Sequence, residues 1–180
     1  MPFTGKELGD KILDEQGLKN VSINKIEKID HYNPIDKKIN ISHDKLNKKS
    51  ITSISVVVHE IGHAIQDRDN YKPLKLRQAL IEKTMVFQRI GSFLLIIGLP
   101  SIFAITKSPF ITFIAALVIM GCLTTNVLIH IITLPVEFDA SFKRALPILS
   151  KYVPRENMYQ CKAVLRAAAL TYLAQSIVSI

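Results

Sequence analysis

The residues best equipped for chemistry stand in Val58-His59-Glu60-Ile61-Gly62-His63-Ala64. In a helix, residues i and i+4 lie one above the other, so His59 and His63 present their imidazoles on one face. Two neutral imidazoles at that spacing suit two corners of a tetrahedral zinc site. Glu60, one residue round the helix, lies at the edge of that face, where it can take a proton from a metal-activated water without being a ligand. This is the HExxH arrangement of zinc-dependent peptidases, and it uses two of the chain's five histidines. The apolar, β-branched run from Ile51 to Val58 predicts that the helix is buried. There, His, Glu and His in one turn without partners would be costly.

A catalytic zinc site takes three protein ligands and keeps one position open. His31 and His43 lie upstream, His130 sits inside a long apolar run, and Glu82 has the neighbours of an ordinary interfacial helix face. The better candidate is Glu137 in Leu134-Pro135-Val136-Glu137-Phe138-Asp139-Ala140-Ser141. A carboxylate placed directly after a membrane-like run is expensive unless it has a task. Topology agrees, because two apolar runs separate it from HExxH and return the chain to the same side of a bilayer. Asn126, His130, Thr133, Glu137, Ser141 and Arg144 recur at three- and four-residue steps, a polar stripe on one helix. Pro135 cannot donate to the carbonyl of Ile131, so a kink is expected just before Glu137. His130 is two turns away, about 10 Å by helix rise, too far to share the ion. Tyr172, Arg144 and His130 are candidate donors to an oxyanion. Asp67, four residues past His63, is a candidate acceptor for its ring.

The elements that must position these residues read as α+β, mainly α. Thr4 to Gly17 predicts a short amphipathic helix, capped by Thr4 with Glu7 three positions on. Asn20 to Ile29 and Lys38 to Ser42 predict two strands, with a turn over Asp30 to Asp36. This small N-terminal hairpin or sheet lies beside the HExxH helix, expected from Ile51 to Asp67, and an exposed edge could hold an extended peptide. Arg68 to Pro73 is a linker. Ile90 to Thr106 and Phe110 to Val136 carry no formal charge and predict a transmembrane helical hairpin. Lys143 to Lys162 is polar and interfacial, and the apolar tail to Ile180 is a candidate third span. The whole reads as one membrane-anchored domain over 1–180. Its parts are a juxtamembrane portion with HExxH (1–85), the hairpin (86–136), and the third-ligand and C-terminal helices (137–180).

Composition supports a membrane protein: the chain of 180 residues is 48% hydrophobic, with a mean hydropathy of +0.24. The net charge of +8 comes mostly from lysines scattered through the first half, without aromatic interleaving. That pattern argues against a nucleic-acid partner and suits a face beside an anionic leaflet. The two cysteines, Cys122 and Cys161, form neither a disulfide framework nor a CxxC site. Met1 to Asp10 lacks the apolar core of a cleavable signal peptide. Lys and Arg concentrate on the HExxH side, while the hairpin tip has only Lys107, which places the active site in the cytoplasm of a multi-pass cell-membrane protein.

Several stretches together resemble the YugP-like neutral zinc metallopeptidases, which are bacterial membrane proteins. They are Thr4-Gly5 through Asp14 with Gly17-Leu18, Asp30-His31-Tyr32-Asn33-Pro34, His59 to Gln66, Leu134 to Ser141, and Val164 to Tyr172. The resemblance implies a gluzincin-like peptidase with one Zn2+, His59, His63 and Glu137 as ligands, and Glu60 as catalytic base. Family members usually begin with a further membrane helix before the Thr-Gly stretch, which the residues ahead of Thr4 do not provide. Wider HExxH-plus-Glu families often place an acid four residues after the glutamate ligand. Here that position is Ser141, and the acid is Asp139, a candidate for orienting a ligand. The expected activity is Glu-assisted hydrolysis of peptide bonds in proteins or peptides at the membrane surface. The rival is a membrane scaffold tied together by a structural zinc.

Overall fold

A computed structural model describes residues 1–27 and 29–178, and gives the side chains of all of these except Glu82, 125–128, His130 and 172–178. The fold is mainly helical with one small sheet near the N-terminus. Helix α1 (Gly5–Glu15) opens with a capping box: Thr4 Oγ1 accepts from the Glu7 N–H at 3.1 Å, and Glu7 Oε2 accepts from the Thr4 N–H at 2.8 Å. It ends at Gly17, whose φ of +67° only glycine adopts freely.

Three strands follow: β1 (Ser22–Ile26), β2 (His31–Asn33) and β3 (Lys38–Ser42). The sheet order is β1-β3-β2, with β1 parallel and β2 antiparallel to the central β3. This corrects the expected turn over Asp30 to Asp36. Asn33 Oδ1 accepts from the N–H groups of Ile35 and Asp36 at 2.9 and 3.3 Å, an Asx turn that bends the chain after Asn33. His31–Asn33 are thereby free to pair with Asn40, Ile39 and Lys38. Asp30 Oδ1 accepts from the Ser42 N–H at 2.7 Å and pins the start of the hairpin. β2 is an edge strand.

After the short α2 (His43–Leu46) comes the HExxH helix α3 (Ile51–Arg68), capped by Ser50, which accepts from the Ser53 N–H at 3.1 Å. Leu8 and Ile12 of α1, Ile39 and Ile41 of β3, and Ile54, Val57, Val58 and Ile61 of α3 are all 2% exposed or less. Burying a side chain of this size contributes about 1.5–3 kcal/mol, so the helix is fixed against the sheet by its apolar flank. The expected linker shrinks to Asp69–Tyr71, because Pro73 lies in the first turn of α4 (Lys72–Phe93). Asn70 takes the left-handed conformation (φ 54°) that closes α3.

Helix α4 runs through a π turn (Leu94–Gly98) into α5 (Leu99–Thr106). The combined span, Lys72–Thr106, is 35 residues long and apolar enough to cross a membrane, with 6% of its most apolar window buried. A soluble core helix would be mostly covered. Lys107 turns the chain with φ 50°, Ser108 caps α6 (Pro109–Phe138), and α6 returns antiparallel along α4. Ile96, Ile105 and Phe110 are 73%, 82% and 73% exposed, leaving an apolar belt around the hairpin. A second π turn (Asp139–Ala145) leads into α7 (Leu146–Tyr152), then a 3-10 turn (Arg155–Asn157) and α8 (Met158–Val178). Each π turn precedes a proline, Pro100 or Pro147, that cannot bond to the carbonyl four residues back, Ile96 or Lys143. The wider turn accommodates that carbonyl. α6 itself continues as α-helix past Pro135, so the departure expected before Glu137 comes after it. Within the stretch read as interfacial, Leu149 and Val153 join the core, and Cys161, Leu165 and Ala169 give α8 a fully buried stripe.

Candidate metal centre

The centre forms where α3 meets the end of α6. Their backbones touch at Gly62, where an added Cβ would lie 2.7 Å from the carbonyl oxygen of Ala140. Any side chain there would push the two segments apart, so glycine in this position brings the carboxylate of Glu137 to the histidines. Glu137 Oε2 lies 3.2 Å from His59 Nε2 and 3.1 Å from His63 Nε2. All three residues are buried, and one ligand atom of each lies within 4.8 Å of the others.

The other nitrogen of each imidazole is held by a neutral partner. Gln66 is fully buried, and its Nε2 donates to the Val136 carbonyl at 2.8 Å and to Asp139 Oδ1 at 2.9 Å. Both amide hydrogens are thus used, and Oε1 faces His63 Nδ1 at 2.9 Å. In the neutral ring, an acceptor at that point requires the proton on Nδ1 and leaves the Nε2 lone pair pointing into the site. On the other side, Ser141 Oγ donates to the Leu165 carbonyl at 3.2 Å. Its lone pairs therefore face His59 Nδ1 at 3.0 Å and select the same tautomer. Two imidazole lone pairs and a carboxylate oxygen, converging in a buried pocket, fit a divalent zinc ion.

Asp139 is fixed in turn by Arg144, whose Nε donates to Oδ1 at 2.7 Å, while Nη1 donates to Asp69 Oδ2 at 2.6 Å. The guanidinium also lies 5.6 Å from the Tyr71 ring centroid. Burial alone would lower the Arg144 pKa, but Asp139 and Asp69 outweigh it and raise it. Burial would raise Asp69, and hydrogen bonds from Arg144 and Arg68 bring it below the ordinary carboxylate range. Burial would likewise lower His63, yet Glu137, Glu60 and Gln66 together raise it. Arg77 Nη1 donates to the second oxygen of Glu137, Oε1, at 3.1 Å.

Glu60 is 6% exposed, next to His59 on α3, and its carboxylate has no hydrogen-bond or ion-pair partner among the described residues. A cleft of about 190 Å³ opens beside His63 and Arg77, walled by Tyr32 of β2, Pro34 of the turn that follows it, and Leu74 and Ile81 of α4. His31 lines the same cleft rather than the metal pocket, its ring bonded to the Ile29 carbonyl and to Asn40. His43 begins α2 and is exposed. Asp67 does not reach His63: it accepts from Tyr32 Oη at 2.7 Å and from Lys37 Nζ at 2.6 Å, and burial together with that carboxylate raises the Tyr32 phenol. The side chains of His130, Tyr172 and Glu82 lie outside the described residues. Gln66 and Arg77 are site residues that the sequence analysis does not single out, and Ser141, placed on the polar stripe by its spacing, gains its role only as the partner of His59. For Gln66 the signal was a polar residue three positions past His63 on a buried helix, and for Ser141 its place four past Glu137.

The sequence pattern of the family described as "Putative neutral zinc metallopeptidase" matches residues 1–180. The chain belongs to that family of zinc metallopeptidases. It is also 34% identical, over 184 residues, to a Bacillus subtilis (strain 168) protein named "Putative membrane protease YugP", covering 98% of this chain and 76% of the relative. No solved structure matches. For a zinc metallopeptidase the cofactor is Zn2+, and the donor set of His59, His63 and Glu137 suits it.

Proposed function

We propose that the chain is a membrane-embedded zinc metalloendopeptidase of the HExxH-plus-Glu type, cleaving membrane or membrane-proximal proteins. Nε2 of His59, Nε2 of His63 and Oε2 of Glu137 would hold the ion. Zinc, when bound, supplies a Lewis acid that polarises the scissile carbonyl and lowers the pKa of water toward about 7. Glu60 serves as general base: its carboxylate accepts the proton of the attacking water and delivers it to the leaving amine. Gln66 and Ser141 keep the imidazoles in the binding tautomer, and Asp139 with Arg144 keeps Gln66 in place. A structural zinc would call for a fourth protein ligand, whereas the group found among the described residues has three. It would also leave the unpartnered Glu60 without a task.

The observation that carries this reading is the convergence of both Nε2 atoms on one oxygen of Glu137 at 3.2 and 3.1 Å. An extended substrate would add to the free edge of β2 and pass a side chain into the cleft between β2 and α4. Lys72–Thr106 and α6 are read as two crossings, which keep Glu137 on the same side as α3. The lysine-rich segments around α3 favour the cytoplasmic side. Proteins and peptides presented near the headgroups are the expected substrates. The test is Glu60→Gln, which should retain zinc and abolish cleavage of a membrane-anchored reporter, and proteolysis persisting in that variant removes Glu60 from the mechanism.

A further inference from the structure

Glu137 has two oxygens, and only Oε2 faces the histidines. Oε1 lies 3.1 Å from Arg77 Nη1. The Glu137 side chain is fully buried, and that of Arg77 is 17% exposed. A buried carboxylate is costly unless a cation or strong donors face it, and His59 and His63 have their Nδ1 atoms held by neutral partners. Among the described residues, Arg77 brings a permanently charged group into contact with Glu137. It comes from α4, the helix that leads into the long apolar span, while Glu137 stands at the end of α6. The ion pair ties the two helices of the hairpin together at the edge of the metal pocket. A guanidinium is planar and holds a carboxylate oxygen in a defined direction, which a flexible ammonium does not.

We propose that Arg77 is a positioning residue for the zinc ligand Glu137. By engaging Oε1 it makes the carboxylate present a single oxygen to the ion, and it adds a permanent positive charge to the contacts that His59 and His63 make with the other oxygen of the buried side chain. This inference rests on His59, His63 and Glu137 being the ligands. Arg77 reaches the ion only through Glu137 and is not a ligand itself.

The experiment uses the full chain in detergent micelles, with zinc affinity measured against a chromophoric chelator and the visible spectrum recorded after Co2+ loading. Arg77→Gln should weaken zinc binding about 10- to 100-fold, the usual effect of removing a partner that orients a metal ligand. It should also change the Co2+ spectrum, because a released carboxylate can bind through both oxygens and raise the coordination number. In a Glu137→Ala background, Arg77→Gln should cost no further affinity, since the two act as one unit. Parent-like affinity with a parent-like Co2+ spectrum overturns the proposal, and so do losses that simply add. If Arg77→Gln does not fold, Arg77→Lys decides: it keeps the charge but lacks the planar fork, so its Co2+ spectrum should still shift, and a parent-like spectrum overturns the proposal. Failure of the ligand assignment looks different, because His59→Ala in the otherwise native chain would then leave zinc affinity unchanged.

Discussion

Replacing Gln66 by leucine removes every polar atom from a fully buried side chain of similar size, and the consequences can be followed partner by partner. Asp139 loses a bond of 2.9 Å but keeps Arg144 Nε at 2.7 Å. The Val136 carbonyl loses a bond of 2.8 Å but still accepts from the backbone N–H of Asp139. His63 Nδ1 loses its acceptor at 2.9 Å and, among the described residues, has no second acceptor to replace it. One orphaned buried donor costs about 1–3 kcal/mol. The imidazole can then move its proton to Nε2, which removes the lone pair the ion needs. Zinc affinity should fall about 10- to 100-fold, or about 1.4–2.8 kcal/mol, the same size as the cost of the orphaned donor. Competition with a chromophoric chelator measures the first quantity, and thermal unfolding of the zinc-free protein measures the second. Zinc affinity within about twofold of the parent would show that Gln66 does not set the His63 tautomer.

Gly62→Ala places a Cβ 2.7 Å from the Ala140 oxygen. It should lower stability by about 1–3 kcal/mol and weaken zinc binding as α3 and the π turn separate, and an unchanged Tm would contradict the packing described. Glu137→Ala should release zinc while leaving a folded, helical protein, and unchanged metal content would place the third ligand elsewhere. His63 in the zinc-free protein has its pKa raised above the ordinary 6.5. Its contribution to zinc-free stability is therefore full below that value and is lost as pH rises through the raised one. Zinc takes only the neutral ring, so affinity should fall as pH drops through the raised value. A flat profile of zinc affinity across neutral and mildly acidic pH would count against that shift.

The HExxH pair was legible because its geometry is local: helix rise and periodicity set the spacing of His59 and His63 without reference to the rest of the chain. Glu137 could be singled out by cost, as a carboxylate directly after an apolar run, and the structure brings it to the same pocket. The roles of Gln66 and Ser141 were hidden because their partners lie far off in sequence, Asp139 and Val136 for one and His59 and Leu165 for the other. No local pattern distinguishes a buried amide with three partners from a surface one. β2 escaped notice because three residues show no alternation. The length of the turn was decided by the Asn33 side chain rather than by Pro34. The linker after α3 is shorter than expected because Pro73 falls in the first turn of α4, where a proline starts a helix.

Asp67 sits one residue beyond Gln66 and receives both Tyr32 from β2 and Lys37 from the bend that follows it. The rail on which a substrate would lie and the helix that grips the ion are thereby riveted through a single acid. They would shift as one rigid piece. A polypeptide docked along that rail would meet the reactive centre at a set number of residues from its anchoring point, so the scissile bond would be chosen by counting along the backbone.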